Sequence, residues 1–340
     1  MTRTDLHELR KDPLLGRWIA VLSESRAPSD YDVRPEEEDK GPCIFCAGRE
    51  RETPVEIMSL ARTSGPGGSA WWTRVIPNFH PLFQVEGELG RRGEGMYDKM
   101  NSIGANEIIV ESPEHGVRPE DLGIDQMARV LVTYRDRIAD LERDPRLRYT
   151  LVYKDSGKEA GARHSHAVSY IASTPVIPKR VKEELDGAKQ YFLYKERCLF
   201  CDILTEELRV GSRIVSESRH VIALCPYASK FPFEVWLLPR RHHCAFQETR
   251  QEEIEDLAVT LSTVLKKLRK CFPGLSYNYF IHSAPNRIPR KDHWHTLGED
   301  FHWHLEIVPR LLRTTGFEWG SGFYVVPTSP ERAAQYLREV

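Results

Sequence analysis

The segments PCIFCAG (42–48) and RCLFCDI (197–203) carry the same Cys-x-Phe-Cys phrase, and the blocks downstream of each also repeat. After the first come TRVIPNFHPLF, NEIIVESPEH, a helical pattern and finally His164-Ser165-His166. After the second come HVIALCPYASKFPFEVWLLPRRHH, another helical pattern and finally His302-Trp303-His304. A repeat of about 150 residues is too long for a solenoid unit and about right for a domain. The chain of 340 residues is therefore expected to be one unit written twice, 1–185 and 186–340. The charged, partly helical segment 179–197 is the expected connection.

Each copy has one long amphipathic helix. Met127, Leu131, Tyr134, Ile138 and Leu141 recur at spacings of three and four, as do Ile254, Leu257, Leu261, Val264 and Leu268. Thr249 with Glu252 three residues on predicts a capping box for the second helix. EIIVES, YTLVYK, HAVSYI, HVIALC, FEVWLL, YNYFIH and HLEIVP read as strands. Strands before and after a single helix, without strict alternation, predict an α+β fold of two antiparallel-sheet domains, each with one long helix.

Composition narrows the function classes. A net charge of -2 gives no basic surface for nucleic acid. No apolar run approaches the roughly 20 residues that span a bilayer, and the charged N-terminus shows no export signal, so a cytoplasmic chain with no membrane partner is expected. Seven cysteines, four of them in CxxC pairs, then favour metal or redox chemistry over a disulfide framework.

A CxxC pair sets two thiols on one turn, the usual start of a tetrahedral zinc site. Two further ligands are needed in each copy. His115 and His164 would complete Cys43 and Cys46; His242 and His302 would complete Cys198 and Cys201. The plainer alternatives are loop histidines at 115 and 242 and buried thiols at 43 and 198. If His164 binds metal on a strand, His166 stands free on the same face. A rigid neutral imidazole there is a good nucleophile toward phosphorus. The small-residue run GKEAGA before it lets backbone N–H groups approach phosphate oxygens.

These blocks, taken in order, resemble the galactose-1-phosphate uridylyltransferase family of the histidine-triad superfamily along nearly the whole chain. ELRKDPLLGRWIAVLSESRAP, TRVIPNFHPLF, EIIVESPEH, HSH, FPFEVWLLPRRH and FHWHLEIVPRLLRTTG carry the resemblance. It implies a duplicated histidine-triad fold, a homodimer, and ping-pong nucleotidyl transfer through His166 between a nucleotide sugar and a sugar 1-phosphate or inorganic phosphate. It implies zinc on Cys43, Cys46, His115 and His164, and nucleotide contacts from Arg26, Arg74 and Asn78, with the backbone at Gly161. For the second copy there are two family precedents. One is a second zinc on Cys198, Cys201, His242 and His302. The other is iron or zinc on Glu184, His282, His302 and His304. The family's glutamine beyond the nucleophile is Val168 here, so Ser169, Arg163 or a backbone amide is expected to supply its hydrogen bond. GFEWGSGFYVVPTSPERAAQYLREV is similar to the ADP-glucose phosphorylase branch. The leading reading is uridylyl transfer. Adenylyl transfer, a dinucleotide polyphosphate phosphorylase or hydrolase, and a non-catalytic zinc nucleotide-binding protein remain as alternatives.

Overall fold

The computed structural model describes residues 6–35, 41, 43–65, 68–288 and 294–340. In chain order the first half contains β1 (Glu8–Lys11), β2 (Trp18–Val21), β3 (Met58–Ala61), β4 (Trp71–Pro77), β5 (Arg92–Glu94), β6 (Tyr97–Lys99) and β7 (Ala105–Val110). It continues with α1 (Ile124–Leu141), β8 (Tyr149–Ser156), β9 (Val168–Thr174) and α2 (Lys179–Lys195). The second half comprises α3 (Leu199–Val210), β10 (Ile214–Glu217), β11 (Val221–Leu224), β12 (Val235–Pro239), α4 (Gln251–Cys271) and β13 (Tyr277–His282). It ends with α5 (Leu297–Asp300), β14 (His304–Pro309), α6 (Gly316–Ser321), β15 (Tyr324–Val326) and α7 (Pro330–Glu339).

The two long helices fall where the apolar spacing placed them. Met127, Leu131, Tyr134 and Ile138 of α1 and all five residues read for α4 are buried. The cap of α4 lies one residue later than expected: Arg250 N–H donates to Glu253 Oε2 at 2.8 Å. Thr249 instead closes a short 3₁₀ turn over Phe246–Glu248.

The strands depart from expectation in one respect. They form a single ten-stranded antiparallel sheet in the order β10-β11-β12-β14-β13-β8-β9-β7-β4-β3, in place of two sheets. The order reads as equivalent strands from both edges inward, and β8 and β13 meet at the centre. There Tyr277 lies opposite Ser156 and Ile281 opposite Val152. Five of the six residues of β13 and four of the eight of β8 are buried and none of either is exposed, as suits a central strand, whereas an exposed edge usually carries charge. One apolar core joins α1 and α4 to this sheet across both halves. A separate three-stranded sheet, β1-β2-β15, ties the N-terminal hairpin to the C-terminal end. Among the described residues no helix is long and apolar enough to cross a membrane.

The HSH segment is not on a strand. β9 begins at Val168, and the first ladder bond ahead of it joins Glu111 N–H to the Ala167 carbonyl at 2.9 Å. Gly161 turns the chain at φ +87°, a left-handed value that favours glycine. The segment then bends at 165–166, so the two rings do not share a face: His166 is buried and His164 only half-buried.

Candidate metal centres and the adjoining cleft

The bend decides which histidine meets the thiols. Cys43, Cys46, His115 and His166 bring one ligand atom each to within 4.8 Å of one another. His166 Nδ1 is 3.5 Å from Cys43 Sγ and 4.0 Å from Cys46 Sγ. Its Nε2 lies 2.7 Å from the Ser112 carbonyl, which takes the ring proton and leaves Nδ1 as the lone-pair nitrogen. Ligands of a tetrahedral zinc with bonds of 2.0–2.3 Å stand about 3.5 Å apart, so these four fit the ion. Burial pushes the His166 imidazole down to about 4, which keeps it in the neutral form that a ligand needs.

This puts His166 where His164 was expected. His164 is not among the metal-type ligands; its ring stands edge-on to Phe45, centroids 4.9 Å apart. His166 instead turns Nδ1 toward the two thiols and Nε2 toward the Ser112 carbonyl. The residue that could have signalled this is Ser112, just past β7, whose carbonyl selects the His166 tautomer.

In the second half Cys198 caps α3 and Cys201 lies in its first turn. Cys201 Sγ is 3.4 Å from His242 Nδ1 and 3.6 Å from His302 Nδ1, and these four residues form the second group. The Cys198 thiol donates to Cys201 and, with His242 and His302, pulls the Cys201 thiol down to about 3, poised as thiolate. His242 Nε2 binds the Gly298 carbonyl at 2.9 Å, matching the support that Ser112 gives His166.

The carboxylate–histidine set is present as well. Glu184, His282 and His304 form a third group, while His302 belongs to the thiols. Glu306, two residues past His304, joins it: its Oε1 is 3.8 Å from His304 Nε2 and its Oε2 3.9 Å from His282 Nε2. Arg180 and Lys230 lie 3.1 and 3.8 Å from Glu306 Oε2, so positive charge is already supplied. The pointer to a cation is different. Glu184 Oε1, Glu306 Oε1 and His304 Nε2 are buried with no hydrogen-bond partner, and each such orphan costs about 1–3 kcal/mol. The residues of the two precedents therefore fall into two separate groups, with His302 in the first. Glu306 could have been read from the spacing His304-x-Glu306, which puts both on one strand face.

The expected nucleotide contacts scatter. Ser169 is fully buried on the α1 side, where its Oγ is 2.8 Å from Tyr134 Oη. Val168 packs with Ile108, Val110 and Tyr170. Arg74 is buried, with Nε 3.0 Å from Glu56 Oε2. Asn78 Nδ2 donates to Asn106 Oδ1 at 3.1 Å, and Arg26 is exposed near β15. Arg163 and Gly161 stay on the loop ahead of β9.

That loop borders a cleft of about 510 Å³ whose walls include Arg118, Lys154, Lys158, Arg163, His164 and His166. Lys154 is neutralised at 2.5 Å by Glu111, but among the described residues Arg118 and Arg163 form no ion pair. Glu120 and Asp155 line the cleft as well, so basic and acidic side chains share it, with an imidazole on its rim. A wider groove of about 640 Å³ beside Arg143, Asn286 and Trp294 contains none of the clustered ligands.

Fold and site together define an α+β protein with two thiol–imidazole groups, the first of which borders a cleft. Residues 184–329 match the family model for the galactose-1-phosphate uridyl transferase C-terminal domain. The chain is 32% identical to ADP-glucose phosphorylase of Arabidopsis thaliana over 98% of its length and 93% of that protein's. It is 26% identical to galactose-1-phosphate uridylyltransferase of Thermotoga maritima, covering 98% of each. The crystal structure of the Arabidopsis ADP-glucose phosphorylase with bound ADP-glucose superposes with a TM-score of 0.83 at 31% identity, covering 98% of this chain and 99% of that one. The chain belongs to the galactose-1-phosphate uridylyltransferase family, a family of hexose-1-phosphate nucleotidyltransferases.

Proposed function

We propose that this protein transfers a nucleotidyl group between a nucleoside diphosphate sugar and a phosphate-bearing acceptor, in two displacement steps through a histidine. The observation that carries the reading is the cleft that Arg118, Arg163 and the half-buried His164 imidazole line together with Glu120 and Asp155, the two arginines forming no close ion pair among the described residues. Two guanidiniums suit a diphosphate, whose oxygens they can bind in bidentate pairs. The exposed backbone around Gly161 can approach the same oxygens. Arg26, Arg74 and Asn78 line no part of this cleft, and by family resemblance are assigned to the nucleoside. Zinc on the first thiol–imidazole group would fix the loop that borders the cleft, zinc on the second would tie α3 to His242 and His302, and a third cation would lie on Glu184, His282, His304 and Glu306. A histidine-triad unit at 1–185, a second at 186–340 and a homodimer complete the proposal.

Uridylyl exchange between hexose 1-phosphates is the leading reaction. The second reading, adenylyl transfer from ADP-glucose to inorganic phosphate, is supported by the higher identity to ADP-glucose phosphorylase. Zinc-loaded protein is offered UDP-glucose with galactose 1-phosphate, and ADP-glucose with inorganic phosphate, and products are separated by chromatography. Acceptor-dependent product in either mixture supports the reading. Inactivity in both, with cleavage of a dinucleotide tetraphosphate, would replace it with the dinucleotide phosphorylase or hydrolase alternative.

A further inference from the structure

The strand order makes β14 of the second half the counterpart of β9 of the first, and this shows where a reactive histidine can and cannot be. His166 and His302 each face a thiol pair, and each lies two residues before the residue that opens the next strand, Val168 in β9 and His304 in β14. In the first half that opening position is a valine, 3% exposed and surrounded by apolar side chains. In the second half it is an imidazole sealed from solvent, with Trp236 and His282 rings against it and Glu306 before its Nε2. Neither position offers a nitrogen to a substrate. His115 belongs to the metal-type group and His166 has both nitrogens engaged. His164 remains. It lines the cleft, its ring is steadied edge-on by Phe45, and no side chain or backbone group among the described residues hydrogen-bonds it.

We propose that His164 is the catalytic nucleophile, displaced by two residues from His166, the position at which the family resemblance puts it. This rests on the two-step transfer proposed above. A lone-pair nitrogen of neutral His164 attacks the α-phosphorus, and a P–N bond forms as the bridging P–O bond breaks. The sugar 1-phosphate leaves with the electron pair. The other ring nitrogen keeps its proton, so the adduct is an N-phosphoryl imidazolium, a labile group. An acceptor phosphate oxygen then forms the new P–O bond, the P–N bond breaks, and neutral imidazole returns. Arg118 and Arg163 are placed to hold the non-reacting phosphate oxygens, where charge stabilisation matters most.

The test uses full-length, zinc-loaded protein with α-labelled UDP-glucose and ADP-glucose, digested at alkaline pH because the P–N bond is acid-labile. Trypsin releases residues 164–179 as one peptide, and fragment ions split at Ser165 tell His164 from His166. Label on His164 is expected, together with loss of labelling by more than about a hundredfold in His164→Gln and no loss of bound zinc in that variant. Label on His166 or His304, or undiminished labelling of His164→Gln, overturns the assignment while leaving two-step transfer standing. Turnover without any labelled protein overturns both the nucleophile and the two-step route. Absence of turnover with either nucleotide sugar removes the reading on which the assignment rests, and the assignment with it.

Discussion

His164 and His166 differ by two positions in sequence and by opposite surroundings in space. One ring lies on the cleft; the other turns inward, with Nδ1 toward Cys43 and Nε2 on the Ser112 carbonyl. The composition of the site was legible: both CxxC pairs, His115, His242 and His302 come together as their spacing suggested. The choice between His164 and His166 was not, because HSH was matched to HWH by its letters. Matching where the strands begin, Val168 with His304, pairs His166 with His302 instead. Single substitutions should separate the two histidines. His166→Asn should lose about one zinc per chain by elemental analysis and unfold more readily, since structural zinc binding is coupled to folding, whereas His164→Asn should retain its metal. Val168→Gln should not raise turnover. Its amide would enter an apolar cluster without partners and cost about 1–3 kcal/mol in chemical denaturation.

Among the elements, the helices were the easiest to read because their apolar stripes run for several turns and one face is buried throughout. Their ends were harder. Thr249–Glu252 and Arg250–Glu253 are both three apart, and only the second pair has its carboxylate turned back to the cap. The choice is made by a distant residue: Arg241, from the loop after β12, reaches Glu253 at 2.6 and 2.8 Å. Burial would raise the Glu253 carboxyl, but the Arg241 guanidinium and the Arg250 N–H hold it down to about 2. A carboxylate held lower in the folded chain than its ordinary 4.5 stabilises fully above that value, and the contribution is lost as pH falls through about 2. Glu253→Gln should therefore lower stability by about 1.5–3 kcal/mol at pH 7. The gap to the unsubstituted protein should close between about pH 4.5 and 2. Melting curves over that range check it; a gap independent of pH would mean that the ion pair contributes nothing.

For the whole molecule, the repeat announced two units but not their fusion. The β8–β13 seam joins strands more than a hundred residues apart, and nothing local in YTLVYK or YNYFIH specifies the partner. What those segments do carry is the lack of an exposed residue on either face, which fits the middle of a sheet. One core spans both helices, so the halves should unfold in a single calorimetric transition; two well-separated transitions would show that they are independent.

The central claim is that nucleotidyl transfer passes through the protein in two steps, and partial exchange tests it most directly. Zinc-loaded protein is mixed with a nucleotide sugar and its own radiolabelled sugar 1-phosphate, with no second acceptor present. If the nucleotidyl group rests on a histidine, label should enter the nucleotide sugar at a rate comparable to turnover, and His164→Gln should abolish that exchange. Turnover with the full substrate pair but no exchange in this partial mixture would contradict the account, because transfer would then be direct.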